Sequence, residues 1–227
     1  MTKYESLLFD VDETLLNFKE GQYNAVTQLF ISQGVTLTPE IRQRYEVKNA
    51  ALWHAFEKGE LAKEQVLADR FTYIFNECGV KRDGREMDQI FRGYLKEEAI
   101  LLDGAFDIIA ELSRTHQLYV VTNGVSATQY RRLEKSKLAP YFNEIFVSED
   151  TGYQKPMPEF FQHAFERMTS FNPAKTLIIG DSLIADIQGG NQAGIDSCWY
   201  NPQGVANQQA ILPTYEIQQL SQLREIV

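Results

Sequence analysis

Short apolar runs that end in Gly, Asp or Asn recur along the chain. Each is the length of a buried strand and rich in β-branched or aromatic residues. They are SLLFD (6–10), LYVVTNG (118–124), EIFVSED (144–150), TLIIGD (176–181) and SCWYN (197–201). Helix-like patterns such as DGAFDIIAELSR (103–114) lie between them. This alternation predicts an α/β fold, a Rossmann-like parallel sheet with helices on both faces.

The segment 17–98 has a different pattern and contains no clear strand run. Its apolar residues predict successive amphipathic helices. One predicted helix face carries Leu67, Phe71, Ile74, Phe75 and Cys78, and Gly79 follows as its expected C-terminal cap. We therefore predict an α/β core domain formed by residues 1–16 and 99–227. A helical domain, residues 17–98, is expected as an insertion after the first strand.

Composition narrows the classes of partner. The 227 residues are 44% hydrophobic and 23% charged, as in a globular protein with a substantial core, and the net charge is −9. A nucleic acid polymer is therefore not expected as a partner, because its phosphates would be repelled. A small phosphorylated molecule is not excluded, because one metal ion or lysine can reverse the local field. We expect no membrane association and no obligate protein partner. Cys78 and Cys198 have no metal-binding spacing and are interpreted as buried thiols in a cytoplasmic protein.

Polar side chains follow four of the predicted strands. The carboxyl ends of parallel strands share one edge of a sheet, so these residues are expected to converge there. The set comprises Asp10, Asp12, Thr122, Asn123, Lys155, Asp181 and Asp186. Clustered carboxylates repel one another, and a divalent cation removes that conflict. Oxygen ligands predict Mg²⁺, with Mn²⁺ as the alternative.

This chemistry suits transfer of a phosphoryl group. One aspartate of the pair Asp10 and Asp12 can attack phosphorus, and the other can protonate the leaving alkoxide and later activate water. Lys155 and the Thr122 hydroxyl can offset the charge that develops on the phosphoryl oxygens. The sequence therefore predicts a metal-dependent phosphomonoesterase.

Four motifs follow one another along the chain: FDVDET (9–14), VTNG (121–124), YQKP (153–156) and GDSLIAD (180–186). In this order they resemble the motifs of the haloacid dehalogenase superfamily of phosphatases. The resemblance implies that Asp10 is the nucleophile, Asp12 the acid/base, and Thr122, Asn123 and Lys155 the phosphate-binding residues. It also implies metal ligation by Asp10, the Asp12 backbone carbonyl and Asp181, with Asp186 in support. The helical insertion lies where that family has its C1 cap.

One departure from the family pattern points to a narrower group. Many members have DxDGT, whereas Glu13 replaces the glycine here, as in the branch of pyrimidine 5′-nucleotidases. KNAALW (48–53), RLEKSKL (132–138) and SCWYN (197–201) are also similar to that branch. Trp53 and Glu13 are the candidate specificity residues: Trp53 as a stacking surface for a base or a core residue, Glu13 as a gate or a backbone partner.

Several other functions share part of this pattern. The same chemistry on a sugar phosphate or phosphoglycolate is one alternative, and a phosphomutase is another. A dehalogenase is disfavoured, because displacing halide gives Asp12 no obvious task. A non-catalytic phosphoacceptor or binding module is also disfavoured, because the acids and Lys155 are all present and an insertion of this size would have no use there.

Overall fold

The computed structural model describes residues 3–227 and contains a parallel sheet of six strands in the order β3-β2-β1-β4-β5-β6. The strands are β1 (Ser6–Phe9), β2 (Gln117–Thr122), β3 (Glu144–Val147), β4 (Thr176–Gly180), β5 (Asp196–Tyr200) and β6 (Tyr215–Ile217). β1 lies at the centre and pairs with β2 and β4. All of β1 and β4 is buried, as expected for strands covered on both faces. The predicted Rossmann-like core is confirmed.

Helices connect the strands and also fill the segment between β1 and β2. They are α1 (Phe18–Ser32), α2 (Pro39–Glu57), α3 (Lys63–Glu77), α4 (Gly84–Leu95), α5 (Ala105–Leu112), α6 (Ser126–Lys135), α7 (Ser148–Thr151), α8 (Pro158–Arg167) and α9 (Gly189–Gln192). A π-helical segment, Leu183–Gln188, leads directly into α9. The predicted apolar stripe of α5 is buried and packs in the core beneath the sheet.

The chain divides into two compact units. The core unit consists of the residues up to Phe18 and Ala99–Val227, and the helical unit consists of Lys19–Glu98. Within the core unit, the residues just before and just after the helical unit run side by side. The Asn17 N–H donates to the Ile100 carbonyl (2.8 Å), and the Leu102 N–H donates to the Leu15 carbonyl (2.9 Å). The sequence prediction placed the divisions after residues 16 and 98.

Aromatic packing and buried charge hold the helical unit together. Phe30 stacks on Phe75 with ring centroids 5.0 Å apart, and Phe71 lies 5.2 Å from Phe91.

Local capping defines the helix ends: Thr38 accepts from the Ile41 N–H before α2, and Asp83 accepts from the first N–H groups of α4. Gly79 follows α3 with φ +69°, the left-handed conformation predicted for a C-terminal cap.

Three local expectations need correction. β6 was not predicted, because it is only three residues long and only Ile217 in it is fully buried. β3 ends at Val147, and Ser148–Thr151 form a helical turn instead of extending the predicted strand run to residue 150. Cys78 is half-buried at the end of α3, whereas Cys198 is buried as predicted.

Among the described residues, no helix has both the length and the hydropathy that crossing a bilayer requires.

Candidate active site

The carboxyl ends of β1, β2 and β4 bring the predicted residues together in the core unit. Asp10 follows β1, Thr122 ends β2 and Asp181 follows β4. Lys155 lies on the segment between α7 and α8, and its ammonium group contacts the Asp10 carboxylate although 145 residues separate them. The edge predicted from sequence is therefore where these side chains meet.

Lys155 is the central cation of the site. Its Nζ donates to Asp10 Oδ1 (2.7 Å), Asp186 Oδ1 (2.6 Å) and the Val121 carbonyl (2.7 Å). The three acceptors match the three hydrogens of an ammonium group, which fixes the head group in a buried position. Burial by itself lowers the pKa of Lys155, but attraction to Asp10 and Asp186 raises it above the ordinary lysine value. Lys155 is therefore a permanent positive charge here.

The Asp10 carboxylate is buried among more negative charge than Lys155 neutralises. Burial raises the pKa of Asp10 to about 7; Lys155 opposes the rise, and the charges of Asp186 and Asp12 add to it. A raised pKa means that the ionised form is disfavoured without a further cation. A further cation next to Asp10 would therefore favour its ionised form.

Three carboxylates meet the geometric requirement for a metal site. One oxygen from each of Asp10, Asp181 and Asp186 lies within 4.8 Å of the others. Such hard oxygen donors, together with the excess negative charge around Asp10, fit a divalent cation such as Mg²⁺. Both oxygens of Asp186 already accept hydrogen bonds, Oδ1 from Lys155 Nζ and Oδ2 from the Ser182 N–H (3.1 Å). This engagement is consistent with the supporting role expected for Asp186.

The Asp12 side chain lies apart from these three carboxylates and contacts α6 instead. Its Oδ1 accepts a charged hydrogen bond from Arg132, and its Oδ2 accepts from Gln129 Nε2 (3.0 Å). The prediction assigned only the Asp12 backbone carbonyl to the metal, so its carboxylate is available for another task. Gln129 and Arg132 were not predicted as site residues. Their three-residue spacing places them on one helix face, but nothing local marks that face as the one turned to Asp12.

The polar side chains at the end of β2 are held by neighbouring groups. Thr122 Oγ1 accepts from Gln129 Nε2 (2.8 Å) and from the Gly124 N–H (3.2 Å). The Asn123 side chain brackets the Lys155 backbone: its Oδ1 accepts from the Lys155 N–H (2.8 Å), and its Nδ2 donates to the Lys155 carbonyl (2.9 Å). Asn123 therefore fixes the backbone that presents Lys155, and its predicted contact with phosphate stays a prediction.

The two candidate specificity residues occupy different environments. Glu13 has φ +59° and its N–H donates to the Leu16 carbonyl (2.9 Å). This left-handed conformation favours glycine, which explains why many family members have DxDGT at this turn. Trp53 packs edge-on against Phe56 at 5.6 Å and lies half-buried against a small apolar cluster of the helical unit. Trp53 therefore packs within the helical unit, and its part in substrate specificity stays a prediction.

The parallel sheet carries a buried aspartate after its first strand and a lysine bonded to two carboxylates, an arrangement suited to the chemistry of a hydrolase. The model of the haloacid dehalogenase-like hydrolase family matches residues 7–200, and the chain belongs to that family.

Relatives with high coverage support this membership. The chain is 48% identical over 227 residues to YfnB of Bacillus subtilis, described as a HAD-hydrolase, covering 100% of this chain and 97% of YfnB. It is 41% identical over 215 residues to the pyrimidine 5′-nucleotidase PynA of Streptococcus pneumoniae, covering 94% and 91% of the two chains. A crystal structure of YfnB bound to magnesium superimposes with a TM-score of 0.96, covering 99% of both chains at 48% identity.

Proposed function

We propose that this hydrolase is a Mg²⁺-dependent phosphomonoesterase acting through an aspartyl-phosphate, with pyrimidine nucleoside 5′-monophosphates as its substrates. The observation that carries the chemistry is the Asp10 carboxylate, buried at the end of β1 in direct contact with Lys155. The substrate class is supported by the names of two relatives. PynA has 41% identity, and the pyrimidine 5′-nucleotidase YjjG of Escherichia coli has 29% identity over 225 residues.

Asp10, Asp181 and the Asp12 backbone carbonyl are the groups that would hold the cation, with Asp186 in support. When bound, Mg²⁺ supplies positive charge that favours the ionised Asp10 carboxylate and neutralises phosphoryl oxygens. This contribution matters because the pKa of Asp10 is raised to about 7 without it.

The first chemical step is attack of an Asp10 oxygen on phosphorus. An O–P bond forms to Asp10 while the bond between phosphorus and the nucleoside O5′ breaks. An alkoxide is a poor leaving group, so Asp12 donates a proton to O5′ as that bond breaks. Lys155, held 2.7 Å from Asp10 Oδ1, lies beside the reacting carboxylate, where its positive charge offsets the negative charge on the phosphoryl oxygens.

In the second step water cleaves the aspartyl-phosphate. Asp12 removes a proton from the water as its oxygen attacks phosphorus, and the bond to Asp10 breaks to release inorganic phosphate and restore the carboxylate. The Thr122 hydroxyl already accepts two hydrogen bonds, from Gln129 and Gly124. Its own hydrogen is therefore the part of the group suited to a phosphoryl oxygen.

Phosphate release from a panel of esters at fixed Mg²⁺ tests the proposal. The panel contains UMP, dUMP, dTMP, AMP, several sugar phosphates and phosphoglycolate, each repeated with EDTA. We expect release from the pyrimidine nucleotides that is lost with EDTA. Preference for a sugar phosphate or phosphoglycolate would keep the chemistry and overturn the substrate class.

Two aspartate variants test the assigned roles. Asp10→Asn should abolish turnover, because an amide does not attack phosphorus, and Asp12→Asn should slow it by about 10²–10⁴-fold. Asp107→Asn, a change of the same type at an exposed position of α5, is the matched control and should leave the rate unchanged. Turnover of Asp10→Asn at the rate of this control would refute the nucleophile assignment.

A further inference from the structure

Two residues of α6 lie directly behind the Asp12 carboxylate. Arg132 Nη1 bonds to Oδ1 and Gln129 Nε2 bonds to Oδ2, so each carboxylate oxygen has its own anchor. Arg132 is fully buried, whereas the Asp12 side chain remains 28% exposed. The anchors therefore hold Asp12 from the protein interior and leave its outer side accessible.

Gln129 connects Asp12 to the phosphate-binding residue Thr122. Its Nε2 donates one hydrogen to Asp12 Oδ2 (3.0 Å) and the other to Thr122 Oγ1 (2.8 Å). Its Oε1 accepts from Arg132 Nη1 (3.0 Å). This pattern permits only one orientation of the amide, because a flipped amide would turn its oxygen toward the Asp12 carboxylate.

The surrounding structure fixes this network in place. A Cβ added to Gly124 would lie 2.5 Å from Gln129 Cγ, so the backbone of residue 124 packs directly on the glutamine side chain. The Arg132 guanidinium carbon lies 5.3 Å from the centre of the Phe18 ring. The Ser126 N–H, at the start of α6, donates to Glu149 Oε2 (2.8 Å). Residues on several segments thus define where Gln129 and Arg132 sit.

We propose that Gln129 and Arg132 are positioning residues that hold the Asp12 carboxylate in the orientation for proton transfer to and from the substrate. Gln129 also sets the Thr122 hydroxyl relative to Asp12, so proton transfer and phosphate binding share one support. This inference rests on the proposed function, in which Asp12 protonates the leaving oxygen. Neither residue touches the substrate in this assignment; both act through Asp12 and Thr122.

The dependence of the rate on the leaving group separates positioning from general structural support. A nucleoside alkoxide needs the proton of Asp12, whereas p-nitrophenolate departs as a stabilised anion and needs it far less. Loss of the Asp12 anchors should therefore slow alcohol release from UMP and spare p-nitrophenol release in the first turnover. A variant with a generally damaged site would slow both substrates together.

The experiment measures single-turnover rates of alcohol release from UMP and p-nitrophenyl phosphate at saturating Mg²⁺. Arg132→Met should slow the UMP reaction about 10–100-fold, the usual effect of misplacing a catalytic group by about 1 Å, with KM for UMP unchanged. Arg132→Lys should recover part of that loss, because it restores the charge beside Asp12. Arg131→Met removes an exposed arginine on the same helix and should have no effect.

Two further variants keep the test decisive. Gln129→Leu removes no charge but also releases Thr122, so it should slow both esters and slow the UMP reaction more strongly. This larger effect on UMP carries the test if Arg132→Met does not fold. Adding Arg132→Met to Asp12→Asn should cause no further slowing, because both changes remove the same contribution.

Each contrary outcome points to a different error. Equal slowing of UMP and p-nitrophenyl phosphate by Arg132→Met and Gln129→Leu, or no slowing, would overturn the positioning role. Failure of Asp12→Asn itself to discriminate between the two esters would instead overturn the acid role in the proposed function.

Discussion

Gly180, the last residue of β4, provides the sharpest test of the site geometry. A Cβ at this position would lie 2.1 Å from Asp186 Oδ2 and 2.6 Å from the Asp186 Cβ. Asp186 is completely buried and bonded to Lys155 Nζ and to the Ser182 N–H. Gly180→Ala must therefore displace the side chain that holds Lys155.

The size of the effect follows from these distances. An ordinary contact of a Cβ is 3.4–4 Å, so the carboxylate oxygen must move by more than about 1 Å. A shift of that size at a catalytic group costs about 10²-fold, and we expect kcat/KM of Gly180→Ala to fall by about that factor. Overpacking should also lower the free energy of unfolding by about 1–3 kcal/mol. Steady-state kinetics and urea unfolding measure the two quantities.

Gly93→Ala is the matched control for this substitution. Gly93 lies exposed in α4, and an added Cβ would meet nothing within 4 Å. The change should raise the free energy of unfolding by about 1 kcal/mol, because alanine favours a helix, and should leave kcat/KM unchanged. If Gly180→Ala also kept its kcat/KM, the close approach of β4 to Asp186 would not govern the position of Lys155.

Two further predictions concern stability. Asp88→Ala should lower the free energy of unfolding in urea by about 3–5 kcal/mol, because it removes the carboxylate whose Oδ1 lies 2.5 Å from Nη2 of the buried Arg70. Arg44→Ala, which breaks an exposed ion pair, should lower it by less than about 1 kcal/mol. Equal losses for the two variants would contradict the reasoning. Burial lowers the pKa of His116, so the unfolded chain binds a proton there more readily, and the contribution of His116 to the free energy of unfolding should fall as pH drops below about 6.5. His116→Gln should flatten that slope, and matching slopes would refute the assignment.

Local pattern was enough to predict the sheet and the location of the site. The five longer strands were recognisable as apolar runs, because a strand buried on both faces needs a continuous apolar sequence. The residue after each run could then be placed at one edge, because parallel strands end together. The contact between Lys155 and Asp10 agrees with that topological argument.

The same reasoning missed the residues around Asp12. Arg132 in RLEKSKL has the composition of an exposed helix face, yet its side chain is completely buried. Its neighbour Arg131 has the same local context and is exposed in a pair with Glu134. Which of two adjacent arginines faces inward depends on how α6 is rotated against the sheet, and no local signal specifies that rotation.

The apolar runs and the polar residues that end them thus predict the parallel sheet and the approach of Asp10, Lys155, Asp181 and Asp186 to one another at its edge. The packing of distant segments places the Asn123 side chain around the Lys155 backbone and joins Asp12 to Thr122 through Gln129. The two kinds of feature differ in how far apart along the chain the interacting residues are. Hydrophobic periodicity and turn chemistry act within a few neighbouring residues, whereas hydrogen bonds between residues 12 and 132 exist only after helices and strands have packed.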